Sequence, residues 1–329
     1  MKEKKSKAKR AALAVLIAVI VLAALYAVFV LTANPLFYKT FYGASGADCT
    51  IPDLWGGFVP QGVTSLDGKT LICGYTAKEA SRIYVMEEKG AKRLLLARED
   101  GSVYDGHAGG ISASGEYVYI SNAAKIFVLK ASDVLAAKDG DTVTFIGRFD
   151  VPVRSSFCSN DGKYLYVGEF HRDGYETDES HAVGSADGTY RAMIFAYPLD
   201  PGLPFGVNNA VSSAFAVCDE VQGAAFYGGK AYLSCSYGLH DSRLKIYDLA
   251  GEDGVFSYDG RDLPLRILDG RREKATVMMP HMSEDMDVTD GRLLIAFESG
   301  VLKYGGGLLP FAERRVMRVD PALLKDEAA

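Results

Sequence analysis

The chain has 329 residues, of which 48% are hydrophobic and 24% charged, and its formal net charge is −6. This length is sufficient for one large domain with a buried core. The acidic balance argues against a nucleic-acid partner, because contacts with the phosphate backbone require a basic face.

The N-terminus predicts a single-pass membrane anchor. Residues 1–10 form a leader with six basic groups and one acid, and residues 11–33 contain no charge. A helix of that length, at 1.5 Å per residue, spans a hydrocarbon core of roughly 30 Å. The basic leader favours a cytoplasmic N-terminus, with everything after Pro35 outside the cell membrane. The alternative is a cleaved signal peptide, whose apolar region is usually shorter and ends in small residues, whereas Leu31 is large.

Residues 34–57 are predicted to link this helix to the first repeat and to help close the fold. They are too aromatic for a solvated tether. The aromatic residues are Phe37, Tyr38, Phe41, Tyr42 and Trp55.

Five repeats follow, each with a strand, a tight glycine turn, a second strand and a third apolar run. Four short strands per unit are typical of a propeller blade, and fourth runs occur at 93–97, 142–149 and 263–268. The sequence therefore predicts an all-β propeller of five blades over residues 58–329. A sixth blade remains the alternative if a degenerate unit lies in the termini. The turn glycines are Gly68, Gly115, Gly162, Gly229 and Gly291.

Two irregularities mark the repeats. Residues 172–190 form a polar insertion between the second and third strands of the third unit, and a solvated, mobile loop is expected there. The fifth unit ends after its third strand at 315–319. Propellers commonly close by borrowing the missing strand from the other terminus, which removes exposed edges. Residues 37–50 are the predicted donor.

The propeller geometry predicts a ligand-binding mouth. Strands that are neighbours in a blade are antiparallel, so the start of the first strand and the end of the second lie on one face. Ligands in ring-shaped folds bind where loops converge on a cavity. The predicted mouth residues are Gln61, His107, Asn122, Arg154, Glu169, His171, Gln222, Tyr237, His240 and Glu298.

Structural roles compete with binding for several of these residues. Gln61 and Gln222 occupy equivalent positions and are candidates for bridges between blades. His107 is a candidate for a hydrogen bond to the backbone of a neighbouring blade. Carboxylates gathered near one axis repel each other unless a cation, Arg154 or a raised pKa relieves the repulsion.

The five cysteines, Cys49, Cys73, Cys158, Cys218 and Cys235, include no CxxC pair and no Cys/His spacing of a zinc site. An odd number leaves at least one thiol outside any internal disulfide. No disulfide framework is implied.

Several segments, in this order and spacing, resemble a group of bacterial exported or membrane-anchored β-propeller proteins of uncharacterised function. More distantly, the chain is similar to gluconolactonase-like, strictosidine-synthase-like and YVTN-repeat propellers. The lactonase resemblance implies a metal at the channel mouth, Ca²⁺ or another divalent cation, with Glu284, Asp285, Glu298 and Asn122 as counterparts of its ligands. The family's usual pair of channel asparagines has no match. The segments are PQGVT at 60–64, SRIYV at 81–85, GHAGGIS at 106–112, VQGAAF at 221–226 and FESG at 297–300.

Two classes of function follow. The first is an anchored binding module that presents its mouth to a small molecule, a glycan or a protein. The second is a metal-dependent hydrolase of lactone or ester type, which uses the carboxylates at the mouth. The chain has no GxSxG, phosphate-binding glycine loop, HExxH or dinucleotide motif. The binding module is therefore favoured, and whether the protein is an enzyme stays open.

Overall fold

The structure, a computed structural model, describes residues 2–326. Met1, the first residue of the predicted leader, lies outside the described residues. So do residues 327–329, the last residues of the predicted propeller domain. Helix α1 (Lys2–Phe37) opens the chain, and within its segment Lys9–Phe37 an 18-residue window has a mean hydropathy of 3.1, apolar enough to cross a membrane. Both a membrane anchor and a signal sequence fit such a helix. A short helix α2 (Lys39–Ala44) and strand β1 (Ser45–Thr50) follow.

Blades 1 and 2 come next, each an antiparallel sheet of four strands. The strands of blade 1, from the axis outward, are β2 (Val59–Leu66), β3 (Lys69–Tyr75), β4 (Arg82–Met86) and β5 (Ala91–Ala97). Blade 2 begins with β6 (Gly110–Ser114), β7 (Tyr117–Asn122) and β8 (Lys125–Lys130), which leads into helix α3 (Ala131–Ala136).

The predicted fourth run at 142–149 is divided between these two blades. Strand β9 (Thr142–Thr144) pairs in parallel with β5 and extends blade 1, whereas β10 (Gly147–Asp150) pairs with β8 and completes blade 2. The apolar pattern runs through both strands without a break, so the sequence alone could not separate them.

Blade 3 carries the polar insertion. Its four strands are β11 (Phe157–Asn160), β12 (Tyr164–Gly168), β15 (Ala192–Pro198) and β16 (Ser213–Val217). Between the second and third strands, the insertion forms a 3₁₀ turn at Glu179–His181 and a small hairpin of β13 (Val183–Ser185) and β14 (Gly188–Tyr190). A second 3₁₀ turn, Pro204–Gly206, precedes β16.

Blade 4 corrects another sequence prediction. It consists of β17 (Val221–Tyr227), β18 (Lys230–Cys235), β19 (Ser242–Asp248) and β22 (Glu273–Met279). The run at 263–268, predicted as its fourth strand, belongs to a hairpin of β20 (Gly254–Tyr258) and β21 (Arg261–Ile267) that pairs with β16 of blade 3. The sequence misassigned this run because the hairpin is as apolar as a blade strand.

Blade 5 combines the last three strands of the chain with a strand from the N-terminal segment. It consists of β23 (Ser283–Thr289), β24 (Arg292–Phe297) and β25 (Arg315–Val319), with β1 as its outermost strand. The loop between β24 and β25 contains a 3₁₀ turn at Leu302–Tyr304. Strand β1 is antiparallel to β25, with Ser45 opposite Val319. The ring is thus closed by a strand from the N-terminal segment, and the five-bladed arrangement is confirmed.

Each blade turns between its first two strands at the predicted glycine. All five glycines have positive φ, between +56° and +82°. Residues with a side chain rarely adopt this conformation, whereas glycine reaches it without steric cost. The repeated glycine is therefore required by the backbone of the turn.

The inner strands meet closely around the ring axis. At Gly223 an added Cβ would lie 2.5 Å from the Cα of Asp285, and at Gly110 it would lie 2.6 Å from the backbone nitrogen of Cys158. Neighbouring blades can approach this closely only because these positions carry no side chain. Below the mouth, protein atoms therefore occupy the region around the axis.

The N-terminal segment is part of the hydrophobic core. Tyr38 and Phe41 pack in one cluster with Leu244 and Val277 of blade 4 and Ile295 of blade 5. Phe41 is fully buried. The segment contributes packing as well as the closing strand.

We therefore expect Phe41→Ala to lower the free energy of unfolding by about 3–5 kcal/mol, the usual cost of emptying a buried phenylalanine site. The exposed neighbour Lys39 provides the control, and Lys39→Ala should stay within about 0.5 kcal/mol of the parent. Denaturant unfolding of the purified protein in detergent measures both. Equal stability of the two variants would contradict a structural role of this segment.

Candidate functional site

A cavity of about 580 Å³ opens on one face of the propeller. Every blade contributes to it from the start of its first strand, the end of its second strand or a loop beside them. Eight predicted residues line this cavity: Gln61, His107, Asn122, Arg154, Gln222, Tyr237, Glu284 and Glu298. We call this cavity the mouth, and the side on which it opens the mouth face.

Two predicted mouth residues instead hold the insertion in place. Glu169 is buried, and its Oε1 accepts hydrogen bonds from Nδ1 of His181 at 2.6 Å and from the backbone nitrogen of Met193 at 3.2 Å. His171 is also buried, with its Nδ1 2.8 Å from Asp219. The base of the insertion is therefore attached to the blade through His181, whereas most of residues 172–190 are exposed, as expected for a solvated segment.

Two other predicted residues lie outside the mouth. His240 lines an adjacent cavity of about 480 Å³, which shares Tyr237 with the mouth. Asp285 is fully buried, and its Oδ2 accepts a hydrogen bond from the backbone nitrogen of Ile111 at 3.2 Å. Because Ile111 belongs to blade 2 and Asp285 to blade 5, this bond crosses the axis between blades that are not neighbours.

The predicted metal ligands are consequently not brought together. Within residues 2–326, no group of three or more His, Cys, Asp or Glu side chains is arranged to hold a metal ion. Glu284 and Glu298 reach the mouth, whereas Asp285 is directed to backbone amides near the axis. Calcium binding remains a prediction from the sequence.

Glu284 is the most unusual group in the mouth. It is only 4% exposed, and its carboxyl group receives no hydrogen bond from residues 2–326 in the structure. Burial, followed by the nearby charge of Glu298, raises its pKa well above the ordinary value, which favours the protonated form. The protonated form can donate a hydrogen bond to a ligand.

Glu298 differs because it has a protein partner. Its Oε2 accepts a hydrogen bond from Nε2 of Gln61 at 3.2 Å, which links blade 5 to blade 1. Burial raises the pKa of Glu298, and the positive charge of Lys303 opposes this effect. Gln61 therefore has the bridging role considered for it, and the same hydrogen bond orients Glu298.

Two polar side chains of the mouth have no such partner. The guanidinium of Arg154 forms no ion pair, and the side-chain amide of Gln222 forms no hydrogen bond, with the part of the chain that the structure describes. The alternatives of an Arg154–carboxylate pair and of a Gln222 bridge are therefore not realised. Both groups remain available to a ligand.

Aromatic rings form two walls of the mouth. On the side of blades 5, 1 and 2, the ring of Tyr75 stacks on His107 at 4.5 Å, beside Tyr304. His107 thus contacts a ring of blade 1, and burial among these groups lowers the pKa of His107. On the side of blades 3 and 4, Phe170 lies 6.2 Å from Tyr237.

The sequence-based site prediction missed Phe170, Tyr175 and Tyr304. Phe170 stands between Glu169 and His171, two residues chosen for their polar groups, while Tyr175 lies in the insertion and Tyr304 in the last loop. Their positions just after second strands or in mouth-face loops were the available signal. Weighting aromatic residues equally with polar ones would have found them.

Comparisons with known proteins assign no family. No family model and no curated protein matches the chain. The crystal structure of a nidogen/laminin complex matches at 15% identity and a TM-score of 0.36, covering 72% of each chain. The computationally designed Ika8 protein matches at 9% identity and a TM-score of 0.32, covering 73% of this chain and 56% of that one. Neither match carries functional information, and the resemblance to exported bacterial propellers and lactonases stays a prediction.

The raised pKa of Glu284 predicts how stability depends on pH. Its pKa is raised in the folded chain, so above pH about 4.3 the unfolded chain releases a proton that the folded chain retains. The contribution of Glu284 to the free energy of unfolding therefore becomes less favourable as the pH rises. We expect Glu284→Gln, which resembles the protonated form, to stabilise the protein at pH 7 by more than about 0.5 kcal/mol.

The difference in the free energy of unfolding between Glu284→Gln and the parent should shrink as the pH falls towards 4. At that pH the side chain at position 284 is largely neutral in the folded and in the unfolded state of both proteins. Glu88 is exposed, and Glu88→Gln is the matched control, expected to show little change. Denaturant unfolding between pH 4 and pH 8 measures the difference. A loss of stability in Glu284→Gln at pH 7 would show that Glu284 acts as a paired, ionised structural group.

Proposed function

We propose that this protein is a membrane-anchored, extracytoplasmic binding module that takes a small hydroxylated ligand, such as a sugar unit of a glycan, in its mouth. The observation that carries this proposal is the carboxyl group of Glu284, which lines the mouth, is only 4% exposed and forms no hydrogen bond with the described residues. A ligand hydroxyl placed against this group would supply the hydrogen bond that the protein does not.

The remaining groups of the mouth suit the same ligand. Arg154 and Gln222 provide hydrogen-bond donors and an acceptor without protein partners, and Tyr75 and Tyr237 belong to the two aromatic walls. A cavity of about 580 Å³ lies within the range of small-molecule sites, in which aromatic walls surround a few polar groups. Hydroxyl groups match the polar groups, and the apolar faces of a sugar ring match the walls.

The hydrolase hypothesis receives less support. It requires several carboxylates on one cation, but Asp285 is bonded to backbone amides and Glu298 accepts a hydrogen bond from Gln61. Glu284 remains as a single carboxyl group, with a raised pKa. A lone carboxyl group of this kind is a weak ligand for a hard cation, which prefers several charged oxygens.

The test is thermal unfolding of the full-length protein in detergent with a panel of neutral and acidic monosaccharides, and with calcium in a separate series. A sugar at 100 times its Kd should add about 2.7 kcal/mol of stability. Gln222→Ala and Arg154→Ala should each abolish that response while melting like the parent without sugar. Arg148→Ala, at an exposed ion pair with Glu99, is the control and should retain the response.

A response to calcium alone would favour the hydrolase hypothesis over a sugar-binding module. If no sugar of the panel raises the melting temperature, the proposed ligand class is wrong. If a sugar raises it equally in the parent and in both mouth variants, the binding site lies elsewhere on the molecule.

A further inference from the structure

The N-terminal helix reaches the propeller on the mouth face. Residues 298–314 join the end of β24 to the start of β25 and include Tyr304 of the mouth, so this loop lies on the mouth face. Helix α1 packs against it, with the rings of Phe29 and Phe37 at 6.3 and 5.0 Å from the ring of Phe311. The mouth and the helix are therefore on the same side of the propeller.

Tyr26 shows how far the loop extends along the helix. Its hydroxyl donates a hydrogen bond to the backbone oxygen of Leu308 at 2.8 Å. Tyr26 lies seven residues before Ala33, the end of the uncharged run, a separation of about 10 Å along a helix axis. The hydrocarbon core is roughly 30 Å thick, so a loop that contacts Tyr26 of a spanning helix lies within the outer leaflet.

The chemistry of this loop suits a lipid environment. Residues 305–312 carry no charge. The backbone oxygen of Gly307 accepts a hydrogen bond from Arg314 at 2.5 Å, and that of Ala312 accepts one from Nδ2 of Asn34 at 3.2 Å. Lipid tails cannot satisfy backbone groups, so irregular backbone at membrane depth needs such partners from the protein.

Several exposed apolar side chains lie on the mouth face or at the end of the helix beside it. They belong to the end of helix α1 or to loops on the mouth face, and apolar patches of this kind mark interaction surfaces. The residues are Leu36, Phe37, Trp55, Tyr175, Leu239, Leu302, Leu308 and Leu309.

We propose that the mouth face docks on the outer leaflet of the membrane that helix α1 spans, with residues 305–312 inserted beside the helix. This inference rests on the membrane anchor of the proposed function. The mouth then opens at the lipid surface, and its ligand is the hydroxylated headgroup of a lipid or of a lipid-linked glycan.

Trp55 is the only tryptophan of the chain, and it reports directly on this arrangement. It is 56% exposed and lies against Gly306, where an added Cβ would come within 3.1 Å of its ring. The experiment places the full-length protein in phosphatidylcholine nanodiscs, with or without bromine on the acyl chains near the headgroup. Brominated lipid should remove most of the Trp55 emission.

Three variants serve as comparisons. In Trp55→Phe with Val255→Trp, the tryptophan sits at an exposed position of β20 on the outer edge of blade 3, and its emission should be unaffected by bromine. Leu308→Ser with Leu309→Ser should restore much of the Trp55 emission, whereas Leu203→Ser, an exposed position on another loop, should not.

The anchor and the docking fail in different ways. If the protein stays in the nanodiscs but bromine leaves Trp55 emission unchanged, the anchor stands and the docking is wrong. If the protein washes off the nanodiscs, the anchor itself is wrong. Quenching at position 255 equal to that at Trp55 would show nonspecific adsorption and would also overturn the docking.

A second, independent observation concerns two thiols beside the mouth. The Sγ atoms of Cys218 and Cys235 lie 3.6 Å apart, and both residues line the adjacent cavity together with Lys245. The hydrogen bond between the thiols, with the charge of Lys245 as a smaller cause, lowers the pKa of Cys218. A thiolate at Cys218 is the reactive form in thiol–disulfide exchange.

The geometry points to Cys218 and Cys235 as the site of a disulfide that joins blades 3 and 4. The Cys218 thiolate attacks an external disulfide, such as glutathione disulfide, and expels one glutathione thiolate, which takes the proton of the Cys235 thiol. The Cys235 thiolate then attacks the Cys218 sulfur of the mixed disulfide, expels the second glutathione thiolate and completes the bond. The sulfur atoms need to approach by only about 1.5 Å to reach a bonded distance. Two thiols of the chain are oxidised and one glutathione disulfide is reduced.

Incubation of the folded, full-length protein with glutathione disulfide tests this assignment. The count of reactive thiols after unfolding should fall from five to three, with a peptide that links Cys218 to Cys235 in mass spectra. Cys235→Ser should stop at a glutathione adduct on Cys218, whereas Cys73→Ser should still form the bridge. A persistent adduct on Cys218 in the parent, or a bridge to another cysteine, would overturn the assignment.

Discussion

The carboxyl group of Asp285 lies near the ring axis, where the inner strands of the blades approach one another closely. It accepts a hydrogen bond across the axis from the backbone of Ile111, and burial raises its pKa well above the ordinary value. Glycines at 110 and 223 allow the inner strands to approach it. Any larger residue at these positions would separate the blades. The packing at the axis therefore fixes the floor of the mouth. The inner strands in turn determine the positions of the polar groups above it.

Ring closure connects this packing to the N-terminal segment. Strand β1 covers the edge of β25, and Phe41 fills the core beside blades 4 and 5. An uncovered edge would offer unpaired backbone groups to other chains. The end of helix α1 lies at the mouth face, where Asn34 and Phe37 contact residues 311–312. Helix α2 leads from there to Ser45, and β1 runs back towards the mouth face along blade 5. The segment that completes the fold therefore also holds the helix on this side of the propeller.

The sequence predicted the blades, their glycine turns and the closing strand because each depends on local patterns that repeat along the chain. It failed at 142–149 and 263–268, where apolar runs of equal character pair with different blades. The alternation of apolar and polar residues indicates that a strand is present, but it does not indicate which neighbouring strand pairs with it. In the mouth, strand ends located Gln222 and Glu284, whereas Glu169 and Asp285 turned inward to backbone and histidine partners. Side-chain direction at a strand end depends on such partners, and spacing does not encode them.

The mouth combines features that a purely structural role does not require. Buried carboxyl groups elsewhere in the propeller have partners: Asp287 meets Thr64, and Glu169 meets His181. Glu284 is buried to a similar extent without one. Stability alone would favour an apolar residue at this position, because an unpaired polar group costs free energy. Its place in the same cavity as Arg154, which also has no ion pair among the described residues, is better explained by a ligand that supplies the missing partners. A mouth that faces a lipid surface would meet such a ligand wherever hydroxylated headgroups are displayed.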